Sequence, residues 1–249
     1  MHPAIYALTF LVLVSLGDGY SSNYYCSVNL CPFGGPNVGC NPPSAGGGYY
    51  CYGKSAKSVQ MTKSLKSHLL HLHNYYRAKV ASGRQPPFSQ AARMYTMVWD
   101  DELAAQAGHN ARSCLFAHDT CRNTPEFRHS GQNLAIFGFT GASYDIKDIM
   151  TSLVNTWWNE YRYTKPSYLK SFPRSKTKAI GHFTMLVHDG AWKLGCAMQH
   201  WNEGAEKKVY LVCNYSYTNI IGRPVYTVGP AGSKCQAGMN PNYPGLCKT

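Results

Sequence analysis

Leu65, Leu69, Leu72, Tyr76 and Val80 recur at steps of three and four residues, with Gly83 after them as a stop. The spacing predicts a helix over 62–82. A second helix is predicted over 100–114, with Asp100 as its N-cap and Leu103, Ala107 and Ala111 as its apolar stripe. A third runs from Asp145 to about Tyr161 and aligns Ile146, Ile149, Met150, Leu153 and Trp157 on one face. Glu160 lies three residues beyond Trp157, which puts a carboxylate on or beside that inward face, where carboxylates are uncommon. The period then switches to two. Residues 180–188, 192–201 and 207–215 read as strands, the first two joined by a turn at Asp189-Gly190. Helices followed by strands, without βαβ alternation, predict an α+β domain with a largely antiparallel sheet.

Both ends depart from this patterning. Residues 26–53 are rich in Gly, Pro and Asn, hold four cysteines and have no apolar period, so they read as a stapled extension. Residues 227–249 are similar and hold Cys235 and Cys247. At the start, an apolar run from Ile5 to Leu16 ends in Gly17-Asp18-Gly19. It is too short to span a bilayer and reads as a secretory signal over 1–19. An extracellular setting makes disulfides of the ten cysteines, although that number allows roughly 900 pairings. The formal charge of +12 favours anionic partners. With no nucleic-acid-binding motif in a secreted chain, nucleic acid is excluded as a partner. Lys165, Lys170, Arg174, Lys176 and Lys178 crowd one loop, either as a solvated run or as a contact for anionic glycan or membrane.

Residues 181–201 carry His182, His188 and His200. On an extended strand His182 and His188 would share a face about 20 Å apart, too far to grip one ion. An ion at His182 would need ligands from elsewhere, with Glu160 and His118 as candidates. His73 reads as a local structural bond, and His68 and His71 as solvated helix surface. No nucleophilic serine elbow is present, and every cysteine has a plausible partner.

"GHFTMLVHDGAWKLGC" resembles the G-H-[FY]-T-Q-[ML]-V-W…G-C signature of the CAP superfamily, which unites cysteine-rich secretory, antigen 5 and pathogenesis-related proteins. "YLVCNYSYTNIIGRPVY", "LHLHNYYRAKVASG", "HSGQNLA" and "WWNEY" are similar to its other motifs, in the family's order. The four-cysteine head, the Cys114/Cys121 pair and the "NPNYPGLC" tail look most like insect antigen 5 proteins. The resemblance implies an α–β–α sandwich, with an extension over 20–61, a CAP domain over 62–226 and a tail over 227–249. It also implies disulfides Cys26–Cys40, Cys31–Cys121, Cys51–Cys114 and Cys196–Cys213, leaving Cys235–Cys247. The family's cleft falls on His118, Glu160 and His182, with Gln132 where many relatives have Glu. His118 and His182, with Glu160, are then candidate ligands for Zn²⁺ or another divalent ion, and no cofactor is required. Met185 replaces the usual Gln and faces the core on the strand alternation. Asn214, in the sequon Asn214-Tyr215-Ser216, is a doubtful glycan acceptor at a strand end. The function so implied is extracellular and non-enzymatic: binding of a lipid, or of a protein such as a channel or receptor, as in venom or saliva. The alternative is a metal-dependent hydrolase with Glu160 as general base.

Overall fold

A computed structural model describes residues 22–141, 144–174 and 178–249. The signal assigned to 1–19 and Lys176 lie outside them. Six helices and seven strands follow in order: α1 (Ser22–Tyr25), β1 (Lys57–Val59), α2 (Lys63–Ala81), β2 (Ala91–Arg93), β3 (Val98–Trp99), α3 (Asp101–Ala111), β4 (Gly131–Phe139), α4 (Ile146–Asn159), α5 (Pro166–Lys170), α6 (Gly181–Leu186), β5 (Lys193–Glu203), β6 (Glu206–Tyr215) and β7 (Thr227–Val228). The three long helices start at side-chain caps: Thr62, Asp100 and Asp145 accept from the amides of Leu65, Leu103 and Lys147.

The main sheet has the antiparallel order β1-β5-β6-β4, with β3 added parallel to β5. The β5–β6 hairpin turns at Gly204, whose φ of 62° lies in the left-handed region open to glycine. Side chains alternate across the sheet. Leu194, Cys196, Met198, Val209, Leu211, Cys213 and Tyr215 join the core beneath α2, α4 and α6. Trp201, Tyr210, Val212 and Leu134 join a second core beneath α3. The result is the expected α+β, α–β–α sandwich.

Gly195 sets the spacing of α3 on the sheet. A Cβ there would lie 2.1 Å from the Ala104 nitrogen and 2.5 Å from the Asp100 oxygen. Gly195→Ala is therefore expected to destabilise the fold by about 2–3 kcal/mol, since backbone cannot yield as a side-chain tip would. Urea unfolding measures this, and a loss below about 0.5 kcal/mol would show that the close approach is not needed.

Three sequence readings are corrected. Residues 181–186 are helical, not a strand, so His182 and His188 are not held apart by extended geometry and Asp189-Gly190 joins no hairpin. The reason lies far away in sequence. At the start of α6, Glu160 Oε2 accepts the amides of His182 and Phe183, at 2.9 and 3.1 Å. At its end, Arg77 Nη1 donates to the Leu186 carbonyl at 2.9 Å. Second, residues 131–139 form β4, paired with β6 along all nine positions. Its first five residues are buried in succession, so no alternation announces it. Third, His68 is half-buried, with Nε2 2.9 Å from Thr151 Oγ1 and 3.2 Å from the Lys147 carbonyl.

Five disulfides join Cys26–Cys40, Cys31–Cys121, Cys51–Cys114, Cys196–Cys213 and Cys235–Cys247. The N-terminal extension is thus bonded to the segment after α3, and it also supplies edge strand β1. The tail is anchored too, with Cys247 buried and its amide donating to the Met94 carbonyl.

Candidate functional site

The motif helix α2 spends its polar side chains on tying backbone together. Asn74 pairs with Met97, donating to its carbonyl and accepting its amide, at 3.0 and 2.7 Å. Arg77 is fully buried and donates to four carbonyls, of Tyr95, Leu186, His188 and Ala191. Burial lowers its pKa to about 9, so it remains cationic at neutral pH. His73 Nδ1 donates to the Leu69 carbonyl at 2.7 Å, leaving Nε2 to accept from the Tyr215 hydroxyl at 3.0 Å. Tyr215 in turn accepts from Asn133 Nδ2, which also donates to the His182 carbonyl. A chain of hydrogen bonds therefore runs from α2 to the wall of the cleft.

The cleft encloses about 380 Å³ and is lined by His118, Arg122, Gln132, Asn133, His182 and Asn219, among others. His118 comes from the loop after α3, Gln132 from β4, and His182 from the first turn of α6. Glu160, at the C-cap of α4, stands behind His182. Its Oε1 accepts from His182 Nδ1 at 2.6 Å while Oε2 takes the two α6 amides. Trp157 stacks on the His182 ring, with centroids 6.2 Å apart and planes 21° apart.

Gln132 organises the opposite wall. Its Nε2 donates to Asp119 Oδ2 at 2.6 Å and to Asn214 Oδ1 at 3.0 Å. That orientation turns Oε1 toward His118 Nδ1, 2.8 Å away, which therefore carries the proton. A glutamate here would face Asp119 with like charge, so Gln132 suits the carboxylate beside it. Asp119 also takes Asn110 and Arg122, at 2.6 and 3.4 Å. His118 is exposed at the rim, but desolvation around its ring lowers its pKa; Gln132 opposes this, and Arg122 and His182 add to it. Met185 is buried, as the strand reading required, and yet also lines the cleft, because the segment is helical.

The chemistry of this donor set is restricted. Each imidazole has its Nδ1 held by a neighbour, which leaves Nε2 as the nitrogen able to take a proton or an ion. Glu160 cannot complete such a site, because both of its oxygens are engaged; it orients His182 instead. Among the described residues no three His, Cys, Asp or Glu groups converge as an ion site. The set therefore does not fit a zinc centre built from His118, His182 and Glu160. Asn214 is fully buried and bonded within the sandwich, which leaves no room for a glycan in the folded chain.

Asp119, Arg122 and Asn133 are the site residues that the sequence reading missed. Asp119 follows His118 directly, and Asn133 stands in the "HSGQNLA" motif, so a signal was available for both.

Known proteins resemble this chain in sequence and fold. Residues 70–215 match the cysteine-rich secretory protein family, CAP. Venom allergen-1 of Aedes aegypti is 48% identical over 247 residues, covering 99% of this chain and 94% of that protein. Venom allergen 5 of Vespula maculifrons is 33% identical, covering 88% and 94%. Among solved structures, that of NaASP2 with Zn²⁺ has a TM-score of 0.59 at 25% identity, covering 75% of this chain and 96% of that one. With the family matched over the stretch that holds His118, Gln132, Glu160 and His182, and these relatives matched along most of their own length, the chain belongs to the cysteine-rich secretory protein family, in its venom allergen and antigen 5 branch.

Proposed function

We propose that this chain is a secreted protein that acts by binding a partner outside the cell, without turnover. One observation supports the reading above the others: the cleft holds no carboxylate free to act as a base. Glu160 accepts three hydrogen bonds from its own chain, and Gln132 fills the second acidic position. A carboxylate acting as general base needs an oxygen within reach of a substrate proton, and the oxygens of Glu160 are already taken up by its own chain. Five disulfides suit an oxidising compartment, in keeping with the family to which the chain belongs. Two imidazoles without a third protein ligand would hold a divalent ion only weakly, so binding is expected to need no metal.

Expression in eukaryotic cells followed by native mass spectrometry of the medium tests this reading. The expected species is a chain with all ten cysteines oxidised and no retained lipid, unchanged in mass by a chelator. Extra mass leaving as lipid would replace surface recognition by a carrier role. Hydrolysis that a chelator stops and Glu160→Gln abolishes would overturn the non-enzymatic reading. Retention of the protein inside the cells would overturn secretion.

A further inference from the structure

Exposed cations without a carboxylate partner among the described residues occur at several places, Lys57, Lys63, Arg84, Arg128 and Lys207 among them, but one stretch of the chain holds five. Lys54, Lys66, Arg93, Arg122, Lys193 and Lys208 each have a carboxylate within 3.8 Å. Arg162, Lys165, Lys170, Arg174, Lys178 and Arg223 are all exposed, and among the described residues none of them has such a partner. The cause is visible in the sequence. Between Asp148 and Asp189 the one acidic residue is Glu160, and its carboxylate is buried behind His182. Nothing in this stretch neutralises the cations.

The fold gathers them. The Phe172 amide donates to the Arg223 carbonyl at 2.8 Å and the Val225 amide to the Leu169 carbonyl at 2.9 Å, which fixes the 220–225 turn beside α5. Aromatic rings prop up the long side chains. Lys178 Nζ lies 5.6 Å from the Tyr163 ring centroid and Lys165 Nζ 5.9 Å from that of Tyr168, while the Arg162 guanidinium lies 5.8 Å from that of Tyr161. A cation held over a ring gives up less freedom when it meets an anion. This face reaches the cleft mouth, where Ala179 next to Lys178 lines the wall.

We infer that the face carried by Arg162, Lys165, Lys170, Arg174, Lys178 and Arg223 is a docking surface for a sulfated glycosaminoglycan chain. The inference rests on the chain's being extracellular, where such polymers occur. Rows of fixed sulfates match a row of exposed Arg and Lys, and guanidinium groups bind sulfate through paired N–H donors. Exposed tyrosine also offers a flat ring to the sugar. A bilayer fits less well. Tyr163, 55% exposed, and Ile221, 51% exposed, are the large apolar side chains presented by these segments, too few to anchor a protein in a membrane interface.

Titration of the purified full-length mature chain with a heparin oligosaccharide, at several NaCl concentrations, tests the inference. Binding is expected to weaken steeply with salt. The triple variant Arg162→Ser/Lys165→Ser/Lys178→Ser should weaken it by about tenfold or more. A control triple, Lys57→Ser/Lys63→Ser/Lys207→Ser, removes as many exposed cations elsewhere and should leave affinity nearly unchanged. Equal weakening by both triples would mean that net charge alone acts and would overturn the proposal. So would equal binding of desulfated polymer, or capture by phosphatidylserine vesicles without heparin binding. Because the protein is purified, this result stands apart from whether cells export it.

Discussion

Arg77→Leu is expected to cost about 3–5 kcal/mol and to lower the melting temperature by about 10 °C or more. The guanidinium donates to four carbonyls while fully buried, so leucine would leave these acceptors dry and unpaired. Each unpaired carbonyl costs about 1–3 kcal/mol, partly recovered if water enters. The damage should be directional, because Leu186 and His188 are among the acceptors and end α6. The wall that carries His182 would loosen before the sheet does. Arg77→Lys keeps the charge but has fewer donors and no planar fork, and should fall between the two. Thermal unfolding followed by circular dichroism gives the shift, and hydrogen exchange at 181–188 gives its location. A leucine variant that melts within about 2 °C of the parent would remove Arg77 from this role. If the variant does not accumulate, the lysine form still reads the trend.

Acidification is expected to be the second large effect. Burial lowers the His73 pKa from the ordinary 6.5 to about 4, the Leu69 hydrogen bond opposing and Arg77 adding to the shift. His188 is lowered for the same reason, with Asp189 opposing and Arg77 adding. Its neutral form is fixed by geometry, since Nδ1 accepts the Gly190 amide at 3.1 Å. A depressed imidazole pKa means that the unfolded chain binds the proton first. The stabilisation is therefore complete above about 6.5 and is lost as pH falls toward about 4. For His73 alone the loss is about 3 kcal/mol over that window. Denaturant unfolding at pH 7.5 and pH 4.5 measures the sum, and NMR titration of the His73 ring isolates its share. A His73 ring that titrates near 6.5 in the folded chain would sink the argument.

How legible was this molecule in its sequence? The long helices were, because each combines a three-to-four apolar step with a Thr or Asp cap in the same stretch. The β5–β6 pair was also legible, since one face of each strand meets the main core and the other meets α3. Helix α6 was not. Its residues alternate polar and apolar from His182 to Met185, which mimics a strand, and the groups that hold its ends are Glu160 and Arg77. No local window contains them. The cleft was legible as a set of residues through its resemblance to known motifs, but the roles within it were not. Glu160 reads as a ligand or base in sequence, whereas its oxygens are committed to the His182 ring and to two amides. Gln132 reads as a replaced carboxylate, whereas in the fold it donates to Asp119.

The stapling of the N-terminal extension has a consequence for how this protein survives cleavage. Tyr49 and Tyr52 are 88% and 91% exposed and sit between Cys40 and Cys114 in the chain. A protease that cut between Cys40 and Cys51 would leave the upstream piece bonded to the downstream one through Cys31–Cys121, while Cys51–Cys114 pins the new downstream end. Neither piece could diffuse away. The nicked molecule would migrate as two bands after reduction and as one particle before it, with its surface still assembled. The folded surface would then outlast proteolysis at this loop but not a reductant, which frees the upstream piece by opening Cys31–Cys121.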